Sequence, residues 1–584
     1  MLRPLRSLLI LSCLATQHFT LLDSQTVEPN ATGPVVFQAN AQTVILDVVV
    51  TGQNWTPVEG LHKQDFLLTE DGHPQTITSF DEHTGSQSVQ AAPSDLPPNI
   101  FTNVARVTPT DSLTILLLDS LNTPSEDLSM VREQLLNYVR SLKPGKPVAI
   151  FSLGTRLRLI QGITTDPTVL AEALKNRKSG TPMLWSNADM DTDVDKVESR
   201  FNTNPQYLQQ LRADEKADQT DHLVRTTFAA LQELARSLAG VPGRKNVVWL
   251  SGAFPTITFA DRSLVKPSSV SRNYEDELQK TDALLTAGQV AIYPIATGGL
   301  TTNSQDIEGP AESPESVKMQ QNASQHDTRL RNANQATMDQ IAKETGGIAF
   351  YNANGINDAL ARAMDHGSHF YTLTYTPTNS EPDGRYRRIE VKLANNDYKL
   401  AYRPGYYAVS RKVGESNDDS LRNFMHPGMP DSTQIHFALQ VQPESSLSGK
   451  PPAPQLSDQA EGSTNAGGQS RLKGPHTRYT VEFGIAQQDL QLNVDSDGTR
   501  RGKIESVLIV YDHDGKVLNW VIKHVDLHID AAHYKSVQVN GIHFPLEIDI
   551  PKSGTSLQAG VYDKLSNQDG TLQIPLSSVA KRSE

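Results

Sequence analysis

Short apolar runs alternate with amphipathic stretches through the middle of the chain. Continuous runs such as residues 113–118 and 246–250 predict strands that are buried on both faces. Residues 223–238 carry apolar side chains at i, i+4, i+5 and i+8, which predicts an amphipathic helix. The alternation continues to residue 366, and it predicts a mostly parallel sheet covered by helices on both faces. We therefore assign an α/β domain to residues 112–366.

The pattern on both sides of this domain is that of strands without helices. Short strands are predicted within residues 35–82 and again within residues 368–408, and neither set is large enough to bury a core alone. We expect the two sets to pair as one β-sandwich into which the α/β domain is inserted. Strand-like alternation in residues 433–578 predicts a second, all-β sandwich.

Polar segments rich in Ser, Pro and Gly predict connections between these units. Residues 82–111 and 409–432 are assigned as linkers, and residues 443–475 as a disordered loop of the second sandwich. Residues 179–222 form a polar, acidic insertion with Asp at every second position from Asp189 to Asp195. A calcium site there would need a loop that turns these carboxylates inward, so we favour a solvated insertion.

The N-terminus has the pattern of an export signal. Arg3 and Arg6 precede a short apolar run over residues 7–15, so residues 1–25 are assigned as a signal peptide. This run is shorter than the roughly 20 residues of a membrane-spanning helix, and no later segment predicts a transmembrane anchor. Cys13, the single cysteine, ends an Ile-Leu-Ser-Cys string similar to a bacterial lipoprotein cleavage box. We expect a periplasmic, cell-surface or extracellular protein, and leave open whether Cys13 carries a lipid or is discarded.

Composition and motifs narrow the classes of function. Lys and Arg number 53 against 66 Asp and Glu, a formal net charge of −13 without a basic stripe, which argues against nucleic acid as a partner. The sequence lacks the nucleophile elbow, the phosphate loop, the dinucleotide fingerprint and the zinc-protease helix motif, so we predict no enzyme activity. His366 and His369 are expected to be ordinary histidines rather than zinc ligands, and residues 495–498 and 512–515 to be hairpin turns.

Asp119 stands at the end of the first buried run, and ligands of open parallel sheets bind beyond the carboxyl ends of the strands. Around it, six motifs in chain order resemble those of a von Willebrand factor type A (VWA) domain, specifically the VWA-related family abundant in acidobacteria. They are residues 116–123 (Leu-Leu-Leu-Asp-Ser-Leu-Asn-Thr), the hairpin from 148–152 to 163–166, residues 246–252 (Asn-Val-Val-Trp-Leu-Ser-Gly), 341–347 (Ile-Ala-Lys-Glu-Thr-Gly-Gly), 370–377 (Phe-Tyr-Thr-Leu-Thr-Tyr-Thr-Pro) and 402–407 (Tyr-Arg-Pro-Gly-Tyr-Tyr). The resemblance covers about residues 35–408 and implies a doubly wound, Rossmann-type parallel sheet.

The resemblance also implies a metal-ion-dependent adhesion site, which holds Mg²⁺ through Asp-x-Ser-x-Ser, a later Thr and a later Asp. Asp119 and Thr123 match this pattern, and Thr181 is a match to the loop Thr. Leu121 replaces the middle Ser, and Ser251 occupies the place of the last Asp, so the site is degenerate. Losing a carboxylate weakens the attraction for a hard cation such as Mg²⁺ or Ca²⁺.

Two readings of Asp119 stay open at the level of sequence. Asn122 or Asp261 could replace the missing oxygen donors of a cation site, or Asp119 could simply cap the following helix. In either case we expect Asp119 to lie at an exposed rim that grips another macromolecule.

These observations predict an exported, non-catalytic, adhesion-type module that binds a protein partner, with the flanking sandwiches as spacers. The predicted partner-binding residues are Asp119, Asn122, Thr123, Thr181 and Ser251, of which Asp119, Thr123 and Thr181 are the candidate metal ligands. The alternatives are a secreted hydrolase with an unrecognised site, within residues 179–222 or between domains, and a structural envelope protein that self-associates.

Overall fold

The protein is described by a computed structural model, which covers residues 43–53, 55–85, 96–104, 112–175, 205–252, 257–258, 272–297, 332–351, 355–381, 383–394, 397–409, 425–443, 460–461, 464–465 and 475–579. The described residues form an N-terminal β-sandwich, an α/β domain and a C-terminal β-sandwich.

The N-terminal sandwich is assembled from segments on both sides of the α/β domain. Its strands, numbered in chain order, are β1 (Val44–Thr51), β2 (Phe66–Glu70), β3 (His73–Pro74), β4 (Ile77–His83), β13 (Phe370–Tyr375), β14 (Asp383–Leu393), β15 (Lys399–Ala401) and β16 (Gly405–Val409). They form two sheets with the orders β15-β1-β13-β4 and β16-β14-β2-β3. Leu46 and Leu373 pair across β1 and β13 and are buried in the core between the sheets. The α/β domain is therefore an insertion between two halves of one core.

The α/β domain is built on a five-stranded mixed sheet. Its strands are β6 (Ser112–Asp119), β7 (Val148–Leu153), β8 (Leu157–Thr164), β9 (Arg244–Ser251) and β12 (Val290–Ala296), and a short hairpin adds β10 (Ile257–Thr258) and β11 (Arg272–Asn273). The sheet order is β12-β9-β6-β7-β8, with β12, β9, β6 and β7 parallel and β8 antiparallel at the edge. A hairpin thus closes one side of an otherwise parallel sheet.

Helices cover both faces of this sheet. They are α1 (Ser125–Ser141), α2 (Pro167–Lys175), α3 (Pro205–Leu238), α4 (Glu275–Ala287), helical residues 332–345 and α5 (Ile356–Ser368). Successive side chains of a strand point to opposite faces, so Leu117 packs with α3 and α4 while Leu116 and Leu118 pack with α1 and α5. This is why the strand runs are apolar at consecutive positions.

Helix α3 begins well before the helix that the apolar spacing predicts, because residues 205–222 extend it into the expected insertion. This half of α3 has few apolar positions, and polar pairs one turn apart support it. Gln210 Nε2 donates to Asp214 Oδ1 at 2.8 Å, and Arg225 Nε lies 3.0 Å from Asp221 Oδ2. Among the described side chains of this half, Gln210 and Ala217 are the buried ones, and these two positions do not form the apolar stripe on which the prediction depended. The alternating aspartates at positions 189 to 195 lie outside the described residues.

The C-terminal sandwich contains the second large core. Its strands are β5 (Ile100–Thr102), β17 (Phe437–Pro443), β18 (Ala460–Glu461), β19 (Thr464–Asn465), β20 (His476–Ile485), β21 (Asn493–Val494), β22 (Arg500–Tyr511), β23 (Val517–Ile529), β24 (Ile542–Pro551), β25 (Ser556–Asp563) and β26 (Gln568–Pro575), with helix α6 (Tyr534–Asn540). One sheet has the order β24-β20-β17-β5; the other has β18-β23-β22-β25-β26, with β19 on β23 and β21 on β22. Residues 460–461 and 464–465, expected in a disordered loop, therefore pair with β23.

The expected linker over residues 82–111 also contributes to the C-terminal sandwich. Strand β5 pairs antiparallel with β17, and the buried Asn103 beside it donates Nδ2 to the carbonyls of Ser432 and Ile435, each at 2.8 Å. Its Oδ1 accepts the Phe437 N–H at 2.9 Å. A short strand within a Pro- and Ser-rich segment has no periodicity to mark it, which is why the linker prediction missed this pairing.

A polar contact joins the C-terminal sandwich to the end of α3. Thr433 Oγ1 donates to Ser237 O and accepts the Gly240 N–H, each at 2.8 Å. Nearby, the Arg236 guanidinium lies 3.7 Å from Glu233 and 3.8 Å from Asp569, both buried. Burial, followed by the charge of Asp569, raises the pKa of Glu233 to about 8, while Arg236 opposes the shift.

Among the described residues, no helix is both long and apolar enough to cross a membrane.

We expect Asn103→Ala to destabilise the C-terminal sandwich, because it leaves two buried carbonyls and one N–H without their partners. The loss of unfolding free energy should be about 2–4 kcal/mol, measured by urea denaturation. Asn493→Ala, at an exposed position of the same sandwich, is the matched control and should lose less than about 0.5 kcal/mol. Equal losses in the two variants would show that β5 does not hold this sandwich.

The contact at Glu233 should make the folded state less stable as pH rises. Its pKa of about 8 in the folded chain exceeds the ordinary value of 4.5, so between these values the unfolded state binds fewer protons. From pH 5 to 8 we expect the unfolding free energy of the wild type to fall by up to about 1.4 kcal/mol per pH unit. Glu233→Gln should not show this fall. Glu215→Gln, exposed on the same helix, should keep the wild-type slope; identical slopes in all three proteins would contradict the shift.

Candidate functional site

The predicted site residues meet at the edge of the central sheet where the parallel strands end. Asp119 is the last residue of β6 and Ser251 the last residue of β9. These neighbouring strands lie where the order reverses, since β7 and β8 follow on one side and β12 on the other. Such a switch point is the usual ligand position of an open α/β sheet.

Asp119 accepts five hydrogen bonds in this structure. Its Oδ1 accepts the backbone N–H groups of Leu121 at 3.0 Å and Asn122 at 2.9 Å. Its Oδ2 accepts Asn122 Nδ2 at 2.8 Å, Trp249 Nε1 at 3.1 Å and Ser251 Oγ at 2.7 Å. The side chain is 0% exposed, so the expectation that Asp119 lies at an exposed rim is wrong. The physical reason is that the turn after β6 folds back over the carboxylate and donates its own N–H groups to it.

The surroundings of Asp119 suit an ionised carboxylate. Burial raises the pKa of Asp119, while the hydrogen bonds from Asn122, Ser251 and Trp249 oppose that shift by stabilising the charged form. Four of the five donors are N–H groups, which cannot accept a hydrogen bond from a protonated acid. The network is therefore fully satisfied only when Asp119 carries its charge.

Asn122 and Thr123 tie the turn after β6 to its neighbours. Asn122 Nδ2 also donates to Thr227 Oγ1 of α3 at 2.9 Å, and Thr123 Oγ1 accepts the Gly252 N–H at 3.0 Å. A Cβ on Gly252 would come within 2.7 Å of the Asn122 carbonyl oxygen, so the two turns approach more closely than another residue would allow. Asn122 is half-buried and Thr123 is buried.

The structure brings together Asp119, Asn122, Thr123 and Ser251, whereas Thr181 and Asp261 lie outside the described residues. Sequence reasoning missed three members of the network, namely Trp249, Thr227 and Gly252. The signal for Trp249 was available, because it stands two residues before Ser251 on β9 and shares its face of the sheet.

Those residues of the site that the structure describes do not fit Mg²⁺ or Ca²⁺. A cation of this kind needs several oxygen ligands, whereas Leu121 supplies none from its side chain and Ser251 brings no charge. Both oxygens of Asp119 already face the positive ends of five donor dipoles, and the hydroxyl of Ser251 is one of those donors. A cation would have to displace these donors and take their place. The carboxylate is held by hydrogen bonds in a position where the resemblance implied a metal ion.

The histidine pair with helical spacing does not form a metal site. His366 is buried, and its Nδ1 lies 3.2 Å from the Tyr293 hydroxyl. Burial, followed by the charge of Arg244, lowers the pKa of His366 to about 3, so the ring is neutral at physiological pH. His369 instead faces Glu59, with Nε2 3.6 Å from the carboxylate. The two rings have separate partners.

The two Asp- and Gly-containing segments of the C-terminal sandwich are hairpin turns. Asp495 N donates to Thr499 O at 2.8 Å, and Asp512 N donates to Lys516 O at 3.1 Å. Asp512, His513 and Asp514 bring three possible ligand atoms within 4.8 Å of one another. However, Asp512 Oδ1 accepts the backbone N–H groups of Asp514 and Lys516, as expected of an Asp that stabilises a turn.

No protein-family model and no curated protein matches the chain by sequence. Solved structures that resemble it include an aerotolerance-related membrane protein from Bacteroides fragilis, with 12% identity, a TM-score of 0.23 and coverage of 44% of this chain and 98% of that one. A von Willebrand factor type A protein from Catenulispora acidiphila has 11% identity, a TM-score of 0.20 and coverage of 64% and 75%. The three N-terminal domains of the type V pili tip protein Mfa5 from Porphyromonas gingivalis have 8% identity, a TM-score of 0.22 and coverage of 87% and 77%. These scores are too low to carry a conclusion about function, and the narrower acidobacterial resemblance stays a prediction.

We expect Asp119→Asn to destabilise the α/β domain, because the new amide group places N–H donors against the donors that surround the carboxylate. The unfolding free energy should fall by about 2–4 kcal/mol in urea denaturation, as for other buried groups left without partners. Asp358→Asn, the same exchange at an exposed position in the first turn of α5, is the control and should stay within about 0.5 kcal/mol of the wild type. If both variants unfold like the wild type, the five hydrogen bonds do not stabilise this edge of the sheet.

Proposed function

We propose that the chain is an exported, non-catalytic, VWA-like module that binds a protein partner at the end of its parallel strands, without a metal ion. The N-terminal export pattern and the six ordered motifs support the first part of this proposal. The proposal that no metal ion is needed rests on the carboxylate of Asp119. Both of its oxygens already accept hydrogen bonds from groups of the chain itself.

A catalytic role for this carboxylate has little support. A general base must come within hydrogen-bond reach of a substrate proton. Asp119 is 0% exposed and lies beneath the turn formed by residues 120–124. A partner protein would therefore contact the outer surface of that turn. It would recognise the shape of this surface and its exposed polar groups.

The residues of this edge divide into two roles. Asp119, Thr123 and Ser251 are buried and act as positioning residues, because they fix the turn and the end of β9 to each other. Exposed Pro124 is the candidate contact residue, whereas half-buried Asn122 directs its amide at Asp119 and Thr227 and helps to position the turn. The proposed site is thus the one predicted from the sequence, but Asp119 positions the turn instead of contacting the partner.

We expect Pro124→Arg to weaken capture of the partner, because it adds a long charged side chain at the outer surface of the turn. Pull-downs from envelope extract of the native host, quantified by mass spectrometry after crosslinking, should show a loss on the order of tenfold for the specific partner. A chelator of divalent cations should leave capture by the wild-type chain unchanged.

Ser496→Arg, at an exposed hairpin turn of the C-terminal sandwich, is the matched control and should capture as the wild type does. Undiminished capture by Pro124→Arg would place the contact elsewhere on the molecule. Loss of capture in the presence of the chelator would overturn binding without metal.

A further inference from the structure

A cavity of about 520 Å³ lies between the N-terminal sandwich and the α/β domain. One wall comes from β15, including Leu400, and the residues after it; the other comes from the end of helical residues 332–345 and the segment that follows, including Ile348. Its size falls within the range of about 300–1,000 Å³ that small-molecule sites occupy. Asp119, Asn122, Thr123 and Ser251 do not line this cavity, so it is separate from the edge that carries Asp119.

Trp55 is held at the mouth of this cavity in an unusual backbone conformation. Its φ is +62°, a left-handed value that bulky residues rarely adopt. The turn is fixed by hydrogen bonds from Gly52 N to Thr56 O at 2.8 Å and from Trp55 N to Gly52 O at 3.2 Å. Trp55 is nevertheless 44% exposed, so burial does not explain its position. Backbone strain that presents a large aromatic ring to solvent points to a binding role.

The charges around the cavity are of one sign. Lys343 and Lys399 line it and are exposed, whereas none of the described lining residues is acidic, although the chain as a whole carries a net charge of −13. Lys399 Nζ lies over one face of the Trp55 ring, 4.8 Å from its centre, in a cation–π contact. An aromatic anion would find a charge partner in Lys399 and a stacking surface in the opposite face of Trp55.

His366 contributes a polar group to the wall. Arg244 Nη2 donates to the Tyr293 hydroxyl oxygen at 3.1 Å, and that hydroxyl lies 3.2 Å from His366 Nδ1. The Tyr293 hydroxyl therefore engages the Nδ1 side of the His366 ring. The His366 and Trp55 rings meet edge to face, with 6.2 Å between centroids.

We propose that this cavity binds a small planar aromatic anion, with the ring against Trp55 and the apolar wall and the acidic group between Lys343 and Lys399. This binding site is independent of the partner-binding edge. A ligand must carry both an aromatic ring and a negative charge. The apolar wall holds the ring, and the two ammonium groups hold the charge.

Equilibrium dialysis of the full chain against 2-naphthoate tests this proposal, with 2-naphthamide as the uncharged analogue of the same shape. We expect saturable binding of one naphthoate per chain and binding of the amide that is weaker by about tenfold, the worth of one charge-assisted interaction. Exchanging both ammonium groups, in Lys343→Met with Lys399→Met, should weaken naphthoate binding by about tenfold or more. Trp55→Leu should weaken both ligands alike, since it removes the stacking surface.

Lys392→Met is the matched control, because Lys392 is an exposed lysine on β14 outside the cavity and should bind naphthoate as the wild type does. Equal affinities of the double lysine variant and this control would overturn the proposal. Equal binding of naphthoate and naphthamide, or the absence of saturable binding, would overturn it as well.

Discussion

A carboxylate that is sealed from water needs compensating dipoles or charges, and the edge of the central sheet is organised around that requirement at Asp119. Five donors from the following turn, from β9 and from Asn122 meet its two oxygens. Leaving such a charge unpaired would cost several kcal/mol. Each of the five donors therefore contributes to stabilising the buried carboxylate. Because Asn122 also donates to Thr227, the same network connects β6, β9 and α3.

This arrangement explains how residues that the resemblance assigns to a degenerate metal site can lie together without a metal ion. In a cation site, the carboxylate attracts an ion that neighbouring oxygens help to hold. Here Trp249 and Ser251 supply hydrogen-bond donors on β9, and the turn supplies two N–H groups. The charge is stabilised from within the chain. The consequence is that both oxygens of Asp119 are engaged by hydrogen-bond donors of the chain itself.

The sequence predicts the parts of this fold that repeat a pattern and misses those that depend on distant partners. Consecutive apolar residues such as 113–118 predict β6, since a strand covered on both faces leaves no polar position. Strand β5 is short and lies in a Pro- and Ser-rich stretch, and it forms only because β17 offers its edge. The first half of α3 is also missed, because a polar helix has no apolar stripe that the sequence pattern could reveal.

The candidate site shows the same division. The position of Asp119 at a strand end is visible in the sequence, and it correctly brings Asn122, Thr123 and Ser251 into one cluster. The burial of Asp119 is not visible in the sequence, because it results from the path of the turn that closes over this residue. Trp55 could not be singled out either, since an unusual φ at one residue leaves no trace in composition or spacing.

The central claim is that hydrogen bonds and not a cation stabilise the carboxylate of Asp119. Thermal unfolding of the wild type and of Asp119→Ala, each with a chelator and then with excess Mg²⁺ or Ca²⁺, tests it most directly, since a ligand that binds only the folded state raises the midpoint. We predict that the cations change the wild-type midpoint no more than that of Asp119→Ala. A rise in the wild type that the variant lacks would contradict the account.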